Sequence, residues 1–131
     1  TDWVRRMVGL PDGWSGVIQD TASTSTLVAL VCARERATGY AMARGGLQAE
    51  PKPLAVYACA HSHSSVDKAA LLAGFGRDAI RLVPFDGAYA MRADALEAMV
   101  REDEARGLRP CAVVATTGTT ATTALDPVGA I

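Results

Sequence analysis

The chain has 131 residues, half of them hydrophobic and 21% charged, with a formal net charge of -1. This is enough for one domain with an ordinary core, and it removes any bulk electrostatic pull toward nucleic acid or an anionic membrane surface. No apolar run approaches the ~20 residues that span a bilayer, and Thr1 to Met7 lack the apolar stretch of a secretory signal.

The first residue is not Met, so the chain is expected to begin inside a larger protein. Trp3, Val4, Met7 and Val8 recur with helical spacing and predict a short helix, broken by Pro11-Asp12-Gly13. A run of hydroxyl and acidic residues, Asp20 to Thr26, then leads into the apolar stretch Leu27 to Ala33. Together they predict a buried helix from about Ser23 to Ala37, capped by Ser23 or Thr24, with free backbone N–H groups at its start. Gly45-Gly46 and Pro51-Lys52-Pro53 mark a loop.

From there the pattern is regular. Leu54 to Ala58 predicts a buried strand, Val66 to Gly74 a helix, and Ile80 to Val83 a second strand stopped by Pro84. Met91 to Arg106 predicts an amphipathic helix. Leu96, Met99 and Val100 share a face, Glu97/Arg101 and Glu102/Arg106 form i,i+4 pairs, and Gly107 follows as a cap. Cys111 to Ala115 predicts a third strand, and Asp126-Pro127 the start of another helix. Three apolar strands alternating with helices predict an α/β fold with a mainly parallel sheet built from βαβ units. Three cysteines without regular spacing predict reduced thiols and a cytoplasmic setting.

In open parallel sheets, ligands gather beyond the carboxyl ends of the strands. That rule selects Ala60 to Ser65 and Thr116 to Thr123. The start of the early helix at Ala22-Ser23-Thr24 is a third candidate, because a helix N-terminus with free N–H groups seats phosphate. All three stretches are rich in hydrogen-bonding groups and poor in charge, which suits a phosphorylated aromatic ligand. Each has a plain alternative: a helix cap for Ser23 or Thr24, a solvated loop for the threonines, a structural histidine for His63. Cys59, His61 and His63 alternate and in a continuing strand would share a side, but further metal ligands are not apparent and no metal site is expected. A Cys59–His61 or Ser64–His63 nucleophile has no orienting acid, and there is no glycine-rich phosphate loop.

The residues resemble the group II pyridoxal-phosphate-dependent decarboxylases of the aromatic-L-amino-acid decarboxylase type. Gly16-Val17-Ile18-Gln19-Asp20-Thr21-Ala22-Ser23 followed by Thr26 to Leu30 is similar to their phosphate-binding segment. His63-Ser64-Ser65-Val66 with Lys68-Ala69 is similar to their cofactor-stacking motif, and Val113 to Thr120 to their Thr-rich strand end. The resemblance implies that residues 1–131 are part of a fold-type I, aminotransferase-like large domain from a homodimer that decarboxylates a small-molecule amino acid, by preference an aromatic one. Glutamate decarboxylases and aminotransferases of the same fold, or a non-catalytic ligand-binding α/β domain, stay open. The implied cofactor is pyridoxal 5′-phosphate. Ala22 and Ser23 would hold its phosphate, His63 would stack on its ring as the catalytic histidine, and Thr120 would hydrogen-bond beside it. His61 stands where the family commonly has Gln, and no role is assigned to it. The covalent lysine and the carboxylate that pairs with the pyridine nitrogen are expected beyond Ile131. Lys52 and Lys68 do not match the lysine motif and Asp126 is read as a cap, so residues 1–131 alone are expected to lack decarboxylase activity.

Overall fold

The computed structural model describes all 131 residues, Thr1–Ile131. Three parallel strands form the sheet: β1 (Leu54–Cys59), β2 (Ile80–Val83) and β3 (Arg109–Val114), in the order β2-β1-β3. Every residue of the central strand β1 is buried, as a continuous apolar run in a parallel sheet requires. The helices are α1 (Asp2–Met7), α2 (Ala22–Thr38), α3 (Ser65–Leu72) and α4 (Ala93–Ala105). This is the expected α/β arrangement.

Strand alternation sorts the core onto the two faces of the sheet. Ala55, Tyr57 and Cys59 of β1 join Val83, Met91 and Leu96, with Met99 and Val100 of α4 packed against them. Val56 joins Leu30 of α2 and Ala69 and Ala70 of α3 on the other face, with Ala112 and Val114 of β3 alongside. Cys111 is the extra residue of a bulge, since Ala55 aligns with Pro110 and Val56 with Ala112. Pro110 cannot donate to a ladder and sits on an outer strand of the sheet, which is why the apolar pattern alone places the strand's start two residues late. Burial pushes the Cys111 thiol pKa up.

The α4 layer contains a polar tie. Asp103 is fully buried, and its Oδ2 accepts from the Tyr57 hydroxyl (3.1 Å) and from Arg81 Nε (2.9 Å). Its Oδ1 has only the Arg106 guanidinium, 3.9 Å away. One carboxylate thus fastens α4 to β1 and β2. Burial, with the hydrogen bond to Asp103 next in size, pushes the Tyr57 pKa up to about 12. The predicted surface pairs of α4 are present, Arg101 to Glu97 at 2.5 Å and Arg106 to Glu102 at 3.6 Å. Gly107, at φ +87°, ends the helix by donating to Glu104 O, while Leu108 N–H donates to Asp103 O.

Two expectations change, those for the burial of α2 and for Asp126, while the predicted α1 forms. Helix α2 is not buried all round: Leu30 and Thr38 are its only buried residues, because the sheet and α3 cover one side of it. The apolar face of α1 is exposed, with Trp3 82% and Met7 84% accessible, since no part of the sheet reaches it. Asp126 is not a helix cap. It is buried, and its carboxylate accepts from Met91 N–H (2.7 Å) and Thr116 N–H (2.7 Å). No helix is long and apolar enough to cross a membrane.

Candidate functional site

The site forms at the carboxyl end of the sheet, where β1 and β3 release the chain. Strand β1 stops at Cys59, and Ser62 N–H donates back to Cys59 O at 2.9 Å. This turn ends the alternation that would have aligned Cys59, His61 and His63, so Cys59 packs in the α4 layer instead. His63 lies just before α3. Its Nδ1 accepts from Ser65 N–H at 3.2 Å and lies 2.9 Å from Ser65 Oγ. The imidazole thereby satisfies a free donor at the helix start, where Ser64 supplies no side-chain bond. With Nδ1 taken as acceptor, the neutral ring carries its proton on Nε2, and the exposed ring remains free to meet a ligand.

The second wall comes from the threonine run, which is not a loosely solvated loop. Gly118 and Thr119 N–H groups both donate to Ala124 O, and Thr119 Oγ1 accepts from Ala124 N–H at 3.1 Å. Thr119 and Thr122 hydroxyls meet at 2.7 Å. Thr123 is held at φ +55°, a strained backbone for a β-branched residue. Asp126 closes the base by pairing back to Thr116, with Asp126 N–H donating to Thr116 O at 2.9 Å.

The third component is the start of α2. Thr21, not Ser23 or Thr24, is the cap: its hydroxyl accepts from Thr24 N–H at 3.2 Å. Ser25 N–H donates to Thr21 O. Ala22 and Ser23 keep the free N–H groups of a first turn.

These parts enclose an open cleft of about 370 Å³ lined by Ala22, His61, His63, Thr116 and residues 118–122. Of the predicted site residues, the fold brings Ala22, His63 and Thr120 to one cavity, from three separate stretches of chain. Ser23 is on the same helical turn but does not line it. Sequence reasoning selected the stretch Thr116 to Thr123 without giving Thr116, Thr119 or Thr122 a role, and it missed Thr21 as the cap and Asp126 as the base of the wall. Thr21 could have been found from its place one residue before a helix that starts at Ala22. Asp126 carried no local signal, because its partners lie 10 and 35 residues away. Neither lysine of the chain lines the cleft. The cleft offers a flat imidazole face, hydroxyls and helix-start N–H groups, with no lysine, arginine or carboxylate in its lining. That donor set fits the ring and phosphate of pyridoxal 5′-phosphate.

Known proteins resemble this chain in sequence and fold along its whole length. The pyridoxal-dependent decarboxylase conserved domain matches residues 1–131. Aromatic-L-amino-acid decarboxylase of Bos taurus is 41% identical over 136 aligned residues, covering 95% of this chain and 27% of its own length. The crystal structure of mouse CSAD superposes with a TM-score of 0.92 at 35% identity, covering 99% of this chain and 27% of that one. The crystal structure of Oryza sativa TDC with PLP and tryptamine gives a TM-score of 0.85 at 38% identity, covering 98% and 28%. The chain therefore spans about a quarter of the length of the relatives it matches. With the whole of its length matched and the fold shared, the chain belongs to the pyridoxal-dependent decarboxylase family.

Proposed function

We propose that residues 1–131 are part of the cofactor-binding large domain of an enzyme that decarboxylates an amino acid, by preference an aromatic one, to its amine. The observation that carries this reading is the convergence of Ala22, His63 and Thr120 on one cleft. The preference for an aromatic substrate is supported by the identity to the bovine enzyme and by the tryptamine-bound rice structure.

Pyridoxal 5′-phosphate, when bound, supplies an electron sink for the carbon that loses CO2. The chain's own residues bind and orient. The free N–H groups of Ala22 and Ser23 and the positive end of the α2 dipole hold the phosphate. His63 stacks its ring on the pyridine face, in an orientation fixed by Ser65, and keeps Nε2–H available for the substrate carboxylate or for relaying a proton. Thr120 offers a hydroxyl at the opposite wall. The walls shield the reacting centre from part of the surrounding water.

The full-length protein works on this reading as a cytoplasmic homodimer. The free cysteines Cys32, Cys59 and Cys111 support the cytoplasmic setting, and the homodimer rests on the family resemblance alone. The deciding experiment is a panel of L-amino acids with the full-length protein, following CO2 and cofactor absorbance. His63→Ala should lower turnover about 100-fold or more and shift the absorbance, with a stability loss of only about 1 kcal/mol from the lost bond to Ser65 N–H. Equal turnover and an identical spectrum would remove His63 from the site.

A further inference from the structure

His61 lines the same cleft and is held in an unusual way. Its ring meets Phe85 edge-on at 4.4 Å between centroids (64°) and Tyr89 at 5.2 Å (89°). Phe85 and Tyr89 stack on each other at 5.8 Å. Tyr89 takes φ +63°, a costly conformation for a bulky side chain. Asp86 enforces it: Asp86 Oδ1 accepts from Ala88 N–H (2.8 Å) and Ala90 N–H (3.0 Å), and Tyr89 N–H donates to Asp86 O (3.0 Å). A strained residue persists where its surroundings over-determine it. Here the result is an aromatic bracket around one imidazole.

Inside that bracket His61 Nε2 is buried and has no hydrogen-bond partner. His63, two residues on, has its Nδ1 occupied by Ser65. A buried unpaired nitrogen is unfavourable until a partner arrives. The two imidazoles are the only ionisable side chains lining the cleft, so a ligand oxyanion entering it meets no lysine or arginine among those side chains. Phe85 and Tyr89 are 40% and 45% exposed, so the bracket can yield enough for the His61 ring to turn toward the ligand.

We infer that His61 anchors an oxyanion of the bound ligand through Nε2, with Phe85 and Tyr89 aiming the ring. This rests on the decarboxylase reading and adds a binding residue to it. The oxyanion is either the cofactor phosphate or the substrate carboxylate. The test uses the full-length protein and the variants His61→Leu and His61→Gln. It measures the Kd of pyridoxal 5′-phosphate, the Kd of pyridoxal, and the KM of an aromatic L-amino acid. A rise of about tenfold or more in the first constant in His61→Leu, with pyridoxal unchanged, assigns the phosphate. The same rise confined to KM assigns the carboxylate. In either case His61→Gln, which keeps an N–H, should recover most of the loss. A readout on the unaltered protein guards against a variant that misfolds: the His61 ring-nitrogen NMR signal, assigned by its absence in His61→Gln, should move when the cofactor or the amino acid is added. Unchanged constants or an unmoved signal, in a protein that binds the cofactor, overturn the role of His61 and leave the decarboxylase reading intact. A full-length protein that binds no cofactor overturns both.

Discussion

The layer between β1 and α4 and the cleft at the carboxyl end of the same sheet treat polar groups in opposite ways. In the layer, the Tyr57 hydroxyl and Arg81 both bond to Asp103 Oδ2, and the one buried atom left over, Asp103 Oδ1, faces the Arg106 guanidinium at 3.9 Å. At the cleft, His61 Nε2 has no partner, and the Ala22 and Ser23 N–H groups are those of a first helical turn, with no carbonyl of the helix to bond. The first arrangement resists exchange with anything outside the fold. The second is open to an incoming ligand. Asp126 stands between the two kinds. It is buried like Asp103, but what it fixes is a wall of the cleft.

Substitutions can break this contrast, and the largest effect is expected at Asp103. Asp103→Ala leaves Arg81 and the Tyr57 hydroxyl without their buried partner and should cost about 3–5 kcal/mol. Denaturant unfolding of the full-length protein should show the loss, while cofactor affinity per folded molecule stays the same. Asp126→Ala should cost about 2–4 kcal/mol, because the Met91 and Thr116 N–H groups lose a charged acceptor. Unlike Asp103→Ala, it should also weaken cofactor binding, since Thr116 begins the threonine wall. Equal cofactor binding in both variants would dissolve the distinction between the regions.

The smallest effect is a pH dependence. The folded-state pKa of Tyr57 is raised to about 12 from an unfolded value of about 10. The neutral phenol is therefore favoured by the fold. Its contribution to stability is fully present below about pH 10 and is lost as pH rises toward 12. Tyr57→Phe should flatten the stability profile across that window while costing the hydroxyl's bond to Asp103. A profile equally steep in both proteins would place the alkaline transition elsewhere.

Much of the fold was legible because its information is local. Leu54 to Ala58 is a continuous apolar run, Pro84 stops β2 after Val83, and Leu96, Met99 and Val100 mark the buried side of α4. The site was legible in outline because helix starts and strand ends are where free donors collect. The features that stayed hidden depend on partners distant in sequence. The exposure of α1 and of most of α2 depends on which other elements lie against them, which no periodicity reports. Asp126 reads as Asp-Pro at a helix start until Met91 and Thr116 are placed beside it. Asp103 reads as one more charge on an acidic helix, between Glu102 and Glu104, until its burial brings it to Tyr57 and Arg81. The bracket around His61 needs a left-handed tyrosine, and only the assembled loop reveals that.

The bulge at Cys111 fixes the parity of the chain beyond it. Because one residue of β3 is skipped in the pairing, Ala112 and Val114 turn toward α2 on the same face as Val56, and the threonine wall follows from that phase. Chain length upstream of the wall can therefore change by one residue at this point without inverting it. Deleting Cys111 would straighten the strand and keep Val56 opposite Ala112. The same deletion at Val113 would exchange inner for outer at every position up to Thr116.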